Sequence, residues 1–347
     1  MACCGRVFTP GRSVSHSGMG VALSRASVES IPLWTRWRSW TPVAVLLALC
    51  VLIRLFSPNF LSLSNLVGLL NSASIPLVLS MGATFVILMG SIDLSIEGIV
   101  AVTAVLVSLL VDNDVSSYSI GLFAVPIAIL VGGAMGFANG VLHVKLKIPS
   151  FMTTLGVGFA GIGIATTVLG GFTARISDQS IRFLSLGRVL GLPVAAWIAF
   201  GAVLLSFLVQ ERTRLGRWLY AIGTDEMTAR HAGIPIEKTR ILTFTIAGLF
   251  YGLAGVLSVA QFGQGHALIS QGRLFTTVTA VVVGGTSLSG GVGSVLNSVI
   301  GVFVVTILAN GMILMGVAPY VQQGVQGLLI IVAVTLALDR SRLDVVK

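Results

Sequence analysis

Runs of apolar residues, interrupted by short polar stretches, fill the chain from about residue 42 onward. Crossing the hydrocarbon core of a bilayer as a helix takes about 20 predominantly apolar residues, and several of the runs are shorter than that. The pattern predicts an all-α polytopic membrane protein with about ten transmembrane helices. The predicted spans lie near residues 42–58, 66–90, 96–111, 119–142, 149–170, 189–209, 241–261, 273–289, 293–315 and 320–338.

The composition supports this prediction. Of the 347 residues, 55% are hydrophobic and 10% are charged, and the mean hydropathy is +0.99. A soluble globular domain carries about 25% charged residues, so a soluble protein is excluded. The 41 glycines suit closely packed transmembrane helices. The net charge of +9 does not indicate nucleic-acid binding, because the basic residues gather in loops rather than on one soluble face.

The basic residues orient the predicted spans. With ten spans, both ends of the chain lie on one side of the membrane, and most of the 21 lysines and arginines fall in segments on that side. Because cytoplasmic loops carry the excess of positive charge, we predict cytoplasmic termini. The predicted organisation is an N-terminal tail (1–41), a transmembrane domain (42–338) that contains a charged loop (210–240), and a C-terminal tail (339–347).

The charged loop at 210–240 is too polar to lie in hydrocarbon. Its centre predicts a short helix with clear ends and the features of a docking element. Thr224 is the predicted N-cap, acidic residues follow in the first turn, basic residues lie in the last turn, and Gly233 takes the C′ position. An ordinary solvated loop is the alternative interpretation. The predicted helix residues are Thr224, Asp225, Glu226, Ala229, Arg230 and Gly233.

Two acidic residues stand at the start of the third predicted span. Asp93 and Glu97 are four residues apart, so we expect them to share a helix face. They would stabilise that helix N-terminus electrostatically, with Ser91 as a possible cap. A gating or coupling contact is the alternative interpretation.

Glycine-rich and asparagine-containing segments form a faint internal repeat. Gly90-Ser-Ile-Asp-Leu-Ser95 resembles Gly284-Gly-Thr-Ser-Leu-Ser289, and Ala138-Asn139-Gly140 recurs as Ala309-Asn310-Gly311. The glycines predict a tight re-entry turn with close helix packing, and a gate in a pore is the alternative. The candidate residues for gating or structure are Asp93, Glu97, Asn139, Gly284, Gly285, Ser287, Gly290 and Gly291.

Polar side chains also crowd the end of the predicted span at 241–261. Uncharged amides suit the hydroxyl groups of a sugar, although an exposed loop is polar in any case. These residues are Gln261, Gln264, His266, Gln271 and Arg273.

The sequence excludes several functions. None of the lysines follows a glycine, so the chain has no phosphate-binding P-loop with which to use ATP itself. Acidic residues lie at span ends or in loops, whereas proton- or sodium-coupled carriers usually need them deep within spans. No catalytic triad, zinc spacing or disulfide framework is visible. We therefore predict a transport protein that is not an enzyme and that has no cofactor or metal.

Taken together, several motifs resemble the permease subunit of ribose-type carbohydrate ABC importers. Ser91 stands where that family usually has glycine, and Asp225 where asparagine is common. The matching motifs are Met89-Gly-Ser-Ile-Asp-Leu-Ser95, Ala138-Asn-Gly140, Lys145-Leu-Lys-Ile-Pro149, Thr154-Leu-Gly156, Thr213-Arg-Leu-Gly-Arg217, Tyr220-Ala-Ile-Gly223, Ala229-Arg230 with Gly233-Ile234, and Gly284-Gly-Thr-Ser-Leu-Ser-Gly-Gly291.

The resemblance implies a multi-pass permease in a bacterial inner membrane that moves a monosaccharide or related polyol. It implies three partners: a separate ABC ATP-binding subunit that hydrolyses ATP, a periplasmic sugar-binding protein, and a second permease copy or paralogue. The family's coupling helix, which seats in the ATPase, falls on residues 224–232. We expect Ala229 and Gly233 to be small so that the ATPase can approach closely. A self-sufficient channel or secondary carrier for a small polar solute is the alternative function.

Overall fold

The computed structural model describes residues 41–116 and 118–337, so most of the predicted N-terminal and C-terminal tails lie outside the described residues. Two 3-10 turns, η1 (Pro58–Leu61) and η2 (Gly121–Phe123), precede longer helices. The α-helices are α1 (Thr41–Phe56), α2 (Leu63–Leu88), α3 (Ile96–Leu110), α4 (Ala124–Lys145), α5 (Ser150–Leu169), α6 (Gln179–Leu186), α7 (Val194–Arg212), α8 (Arg214–Thr224), α9 (Glu226–His231), α10 (Ile236–Phe262), α11 (Arg273–Val283), α12 (Val295–Leu314) and α13 (Pro319–Ala337).

The predicted all-α membrane architecture is confirmed. Six helices within the described residues are long and apolar enough to cross a membrane: α2, η2 with α4, α5, α7, α10 and α12. Three further apolar helices, α1, α3 and α11, are shorter. The predicted span at 273–289 ends early, because α11 stops at Val283 and a glycine-rich turn follows.

α10 is the central helix, and it packs along α4 through small residues. A Cβ atom on Gly132 of α4 would overlap the carbonyl of Gly248 in α10, and one on Gly136 would overlap the carbonyl of Phe244. Without side chains at these positions the two backbones touch, which is how membrane helices gain packing energy in place of a hydrophobic driving force. α2 and α3 pack on other faces of α10, so most of its residues are buried.

The helices place loop elements at two ends of the bundle. At one end, here called the α6 side, β1 (Ala174–Arg175) pairs with β4 (Gln264–Gly265), and β2 (Arg188–Val189) pairs with β3 (Leu192–Pro193). At the other end, here called the α9 side, lie α8 and α9. α7 joins the two ends, and its length at 1.5 Å per residue is roughly 28 Å.

Candidate functional site

The charged loop forms α8 and α9, and Asp225 is the N-cap of α9. Its Oδ1 accepts hydrogen bonds from the amides of Met227 and Thr228, at 2.9 and 3.2 Å, and its Oδ2 accepts from the Thr228 hydroxyl at 2.6 Å. These bonds, above all those from Thr228, hold the pKa of Asp225 below its ordinary value. The N-cap prediction at Thr224 is wrong by one residue, because Thr224 ends α8 and its hydroxyl donates to the Tyr220 carbonyl.

The predicted end of α9 is confirmed. Gly233 has a φ of +78°, the left-handed conformation that glycine adopts without strain. Its amide donates to the Arg230 carbonyl at 3.0 Å, and the Ile234 amide donates to the Ala229 carbonyl at 3.1 Å. This pair of bonds is a Schellman motif. A Cβ on Gly233 would meet no atom within 4 Å in the described part of the chain, so glycine here serves the backbone conformation rather than a close contact with those residues.

α9 is tied to α10 by an ion pair. Oε2 of Glu226 lies 2.6 Å from Nη2 of Arg240, and its Oε1 lies 3.2 Å from Nη2 of Arg230. Ala229 is only 3% exposed because it packs against the body of the chain. The expectation that Ala229 is small for a partner's approach is therefore wrong, and Met227, at 63% exposed, is a residue that α9 does present outward.

Residues 89–95, between α2 and α3, form the first of two helix breaks. Gly90 has a φ of +76°. The amides of Gly90 and Ser91 donate to the carbonyls of Ile87 and Val86, at 2.8 and 3.1 Å. This is again a Schellman motif, which satisfies the last carbonyls of α2.

Asp93 is buried in the first break and organises its polar contacts. Its Oδ1 accepts from the amide of Ser95 at 2.9 Å and from the Ser95 hydroxyl at 2.6 Å. Nδ2 of Asn139, on α4, donates to the same hydroxyl oxygen at 2.8 Å. The Tyr251 hydroxyl of α10 lies beside the carboxylate. The carboxylate thus fixes the turn into α3, and Ser95 links that turn to α4.

Asp93 and Glu97 do not share a helix face, contrary to the prediction, because the chain becomes helical only at Ile96. Nor does Ser91 cap α3, whose N-cap is Ser95. Oε1 of Glu97 instead accepts from the amide of Leu274 at 3.2 Å, in the first turn of α11. A carboxylate at a helix N-terminus is favourable, so Glu97 links α3 to α11. A part in gating for these two residues stays a prediction.

Side chains of α5 complete the support of the first break. The hydroxyl of Ser150 accepts from the Ile92 amide at 3.2 Å, and that of Thr154 accepts from the Leu94 amide at 2.9 Å. Two backbone donors that no helix satisfies therefore have partners. The first break is held from inside the helix bundle.

Residues 284–294, between α11 and α12, form the second break. Gly285 has a φ of +99°. The amides of Gly285 and Thr286 donate to the carbonyls of Val282 and Val281, at 2.8 and 3.2 Å. The second break therefore begins with the same Schellman motif as the first.

The candidate glycines of the second break have different reasons to be glycine. A Cβ on Gly284 would overlap the carbonyl of Asn297 in α12, so this position needs close approach. At Gly285 the nearest group is the Asn297 amide, 3.9 Å away, which corrects the prediction of close packing there: its constraint is the positive φ. Ser287 contributes its carbonyl, which accepts from the amide of Gly290 at 3.0 Å.

Four glycines bring α8 and the two breaks into backbone contact. A Cβ on Gly223 of α8 would overlap the Leu88 carbonyl and the Gly291 amide, and one on Gly290 would lie 2.7 Å from Cα of Gly90. The Gly291 amide donates to the Leu88 carbonyl at 2.9 Å. We call Gly90, Gly223, Gly290 and Gly291 the glycine junction.

Two side chains at the α9 side hold the second break. The hydroxyl of Tyr220, on α8, donates to the Gly293 carbonyl at 2.7 Å. Oε1 of Gln210, near the end of α7, accepts from the Val295 amide at 2.6 Å, in the first turn of α12. Burial, and after it the charge of Glu211, raises the pKa of Tyr220, so its hydroxyl keeps its proton. The second break is thus bound to the charged loop.

Residues 65–334 match the family described as "Branched-chain amino acid transport system / permease component". The chain belongs to this permease family. As a permease component it is a transport subunit rather than an enzyme, as the sequence predicts.

The permease is similar to sugar importers over most of its length. It is 33% identical over 295 residues to the ribose import permease protein RbsC of Escherichia coli (strain K12), covering 83% of this chain and 90% of the relative. It is 32% identical over 322 residues to the L-arabinose transport system permease protein AraH of the same strain, covering 93% and 95%. No solved structure matches the permease significantly.

The structure also brings together polar residues that the sequence did not single out. Thr276 and Thr279 of α11 face Gln323 and Gln326 of α13 across one cavity. Of the polar cluster predicted near residues 261–273, Gln271 and Arg273 reach this cavity. The available signal was the spacing of three residues within each pair, which places both members on one helix face.

Proposed function

We propose that this permease is the membrane-spanning subunit of an ATP-driven importer for a monosaccharide or related polyol. The observation that supports the sugar is the similarity to ribose and arabinose permeases over most of each chain. The energy comes from ATP hydrolysis by a separate ATP-binding subunit, and a substrate-binding protein delivers the solute.

We also propose how the permease assembles with its partners and how it is oriented in the membrane. The permease pairs with a second copy or a paralogue in a bacterial inner membrane, and its partners are an ABC ATP-binding subunit and a periplasmic sugar-binding protein. Both termini and the α9 side are cytoplasmic in this proposal, because the charged loop at 210–240 holds six of the 21 lysines and arginines. The α6 side then faces the periplasm.

The coupling element in this proposal is α9, with residues 224–233 as its limits. The N-cap, the Schellman motif and the Glu226–Arg240 ion pair make it a rigid projection on the permease. A displacement of α9 is passed directly to α8, since only Asp225 separates the two helices. α8 contacts both helix breaks at the glycine junction and holds the second break through Tyr220. Movement of the ATP-binding subunit therefore has a short mechanical route to α11 and α12.

The test of the function is uptake by the purified complex in vesicles. We expect uptake of a labelled pentose that requires ATP, the ATP-binding subunit and the loaded binding protein. The alternative, a self-sufficient channel or secondary carrier, predicts uptake by the permease alone in vesicles without ATP. That second result would overturn the proposal.

The coupling element has its own test in Met227→Asp. This residue is outward-facing, so the fold and the level in the membrane should survive, while an apolar contact with the ATP-binding subunit is lost. We expect binding-protein-stimulated ATP hydrolysis to fall about tenfold, the loss expected for one interface anchor. Lys238→Asp, at an exposed position of α10, is the control. Stimulation unchanged by Met227→Asp would exclude this face of α9 as the docking surface.

A further inference from the structure

A cavity of about 590 Å³ lies between α11, α12 and α13. Its volume falls within the range of about 300–1,000 Å³ typical of small-molecule sites. Six polar side chains line it, together with the rings of Phe262 and Phe275. We call this space the polar cavity, and its polar residues are Gln271, Arg273, Thr276, Thr279, Gln323 and Gln326.

The polar cavity lies at membrane depth. From β4 on the α6 side, the chain turns back along α3: a Cβ on Gly265 would overlap Ser108, and the Ser270 hydroxyl donates to the Glu97 carbonyl at 2.9 Å. The 11 helical steps from Glu97 to Ser108 span roughly 16 Å. α11 therefore begins roughly 16 Å from the α6 end of α3, which is about half the thickness of a hydrocarbon core of about 30 Å.

Arg273 carries an unpaired charge at this depth. Among the described residues, its guanidinium makes neither an ion pair nor a hydrogen bond, and its Cζ lies 5.8 Å from the centroid of the Phe262 ring. A charged side chain in hydrocarbon is costly, and such residues face a water-filled space or a polar partner. We therefore expect the five N–H donors of Arg273 to find hydrogen-bond acceptors inside the cavity.

The other polar groups offer both donors and acceptors. Gln323 and Gln326 lie three residues apart on one face of α13, and within the described chain their amides make no hydrogen bond. The Thr279 hydroxyl gives its proton to the Phe275 carbonyl at 2.7 Å, and that of Thr276 donates to the Arg273 carbonyl at 3.0 Å. Both threonines therefore present lone pairs to the cavity. Gly327 leaves room beside Gln326.

We propose that the polar cavity is a solute half-site, that is, the share of the solute-binding site that one permease copy contributes to the transport pathway. The molecule that it takes is neutral and polyhydroxylated. Hydroxyl groups both donate and accept, so they match amides, threonine lone pairs and a guanidinium together. Among the residues that the structure describes, no acidic side chain lines the cavity, so the ammonium group of an amino acid has no counter-charge from them. Phe262 and Phe275 suit the C–H face of a sugar ring. This inference rests on the proposed sugar import.

The proposed half-site is joined to the coupling route by α11. Three of the polar residues, Arg273, Thr276 and Thr279, occupy the first two turns of this helix. The second break, which Tyr220 holds, follows its last turn. A displacement of the second break therefore moves one wall of the cavity relative to α13. Solute contacts made at the cavity would change in step with α9.

The first experiment is uptake by the full complex in vesicles, with labelled D-ribose and L-arabinose as probes and leucine as competitor. The variant Gln323→Leu/Gln326→Leu removes the amides but keeps apolar bulk, so its level in the membrane should be unchanged. We expect pentose uptake to fall about tenfold, the effect of losing two hydrogen bonds. Stimulation of ATP hydrolysis by the loaded binding protein should stay within about twofold of wild type. The control is Gln322→Leu, whose amide donates to the Val317 carbonyl and does not line the cavity.

The second experiment does not depend on sugar uptake. In a chain with Cys3→Ser, Cys4→Ser and Cys50→Ser, the variant Gln326→Cys should react with a membrane-impermeant maleimide, because the cavity holds water. Leu328→Cys, which is exposed on the same helix but does not line the cavity, should react slowly from lipid.

Three outcomes would overturn the assignment. They are uptake within twofold of wild type in the double variant, no labelling of Gln326→Cys, and efficient competition by leucine. A wild-type complex without ATP-driven pentose uptake would instead contradict the proposed function, and the maleimide result would still report whether the cavity is aqueous.

Discussion

The two helix breaks begin alike and are held differently. Each starts with a Schellman motif, on Gly90 in the first break and on Gly285 in the second. Both breaks share the backbone contacts of the glycine junction. Beyond these, the first break is fixed by a buried carboxylate and by hydroxyls of α5, and the second by Tyr220 and Gln210. The same turn is therefore anchored inside the bundle in one place and to the charged loop in the other. We infer that the first break is a fixed support and the second a moving part.

The strongest test of this comparison is the glycine junction, which both breaks share. Gly223→Leu would drive a side chain into the Leu88 carbonyl and the Gly291 amide, and neither backbone group can move aside. We expect destabilisation of about 3 kcal/mol or more and little assembled permease in the membrane. Gly201→Leu, on α7, is the matched control, because no atom of the described residues lies within 4 Å of a Cβ at that position. Equal levels of the two variants would show that the junction is loosely packed.

The next test removes the buried carboxylate that holds the first break. Asp93→Ala removes the acceptor for the Ser95 amide and hydroxyl, so two buried donors lose their partner. We expect a loss of stability of about 2–3 kcal/mol, measured by thermal unfolding in detergent. The protein that does fold should keep its uptake per ATP hydrolysed. If uptake per ATP falls while stability does not change, the first break is a moving part and the comparison is reversed.

A substitution in the contacts of the second break should reduce stability less than Asp93→Ala does in the first. Tyr220→Phe loses one hydrogen bond to the Gly293 carbonyl, worth about 1 kcal/mol. We expect the stability and the stimulated rate of ATP hydrolysis to stay nearly normal. Less solute should be moved per ATP, because α8 has lost its hydrogen bond to the second break. Tyr320→Phe, at a 77% exposed residue of α13, controls for the substitution itself. A fall in stability with unchanged uptake per ATP would make Tyr220 a support like Asp93.

The smallest effect concerns the cap of α9. Asp225→Asn keeps a side-chain oxygen that caps a helix nearly as well, so uptake should change less than about twofold at neutral pH. The depressed pKa of Asp225 means that its charged form stabilises α9 above the unfolded pKa of about 3.9, and that this stabilisation is lost as pH falls through the folded pKa. Uptake that changes between pH 6 and pH 8 in wild type but not in Asp225→Asn would contradict this assignment.

The spans, the charged loop and the C-terminal end of α9 could be predicted from the sequence because local signals determine them. Apolar runs mark helices, and Gly233 ends α9 through its own backbone conformation. The internal repeat was also visible, but its register was not: the sequence aligns Gly90 with Gly284, whereas the shared motif aligns Gly90 with Gly285. That register is set by the hydrogen bonds of the turn and not by the identities of its residues.

Contacts between distant helices could not be predicted in this way. The sequence predicts Ala229 to be a small, exposed residue of a docking helix. Only its packing against the body of the chain shows that it is buried. Asn139 and Asn310 have matching neighbours in sequence, yet Asn139 donates to Ser95 while Asn310 pairs with Asn65 at 3.0 Å. Identical motifs acquire different partners because the partners come from other helices.

The short length of α11 has a consequence for how the protein is made. Its 11 residues cover roughly 17 Å, little more than half of a core of about 30 Å, and they begin with Arg273. A segment of this kind is a poor substrate for insertion by itself. α11 should therefore enter the bilayer only together with α12, as one unit, during biosynthesis. Truncated chains that stop after Val283 should leave this segment outside the lipid, and glycosylation-site mapping of such chains can detect it.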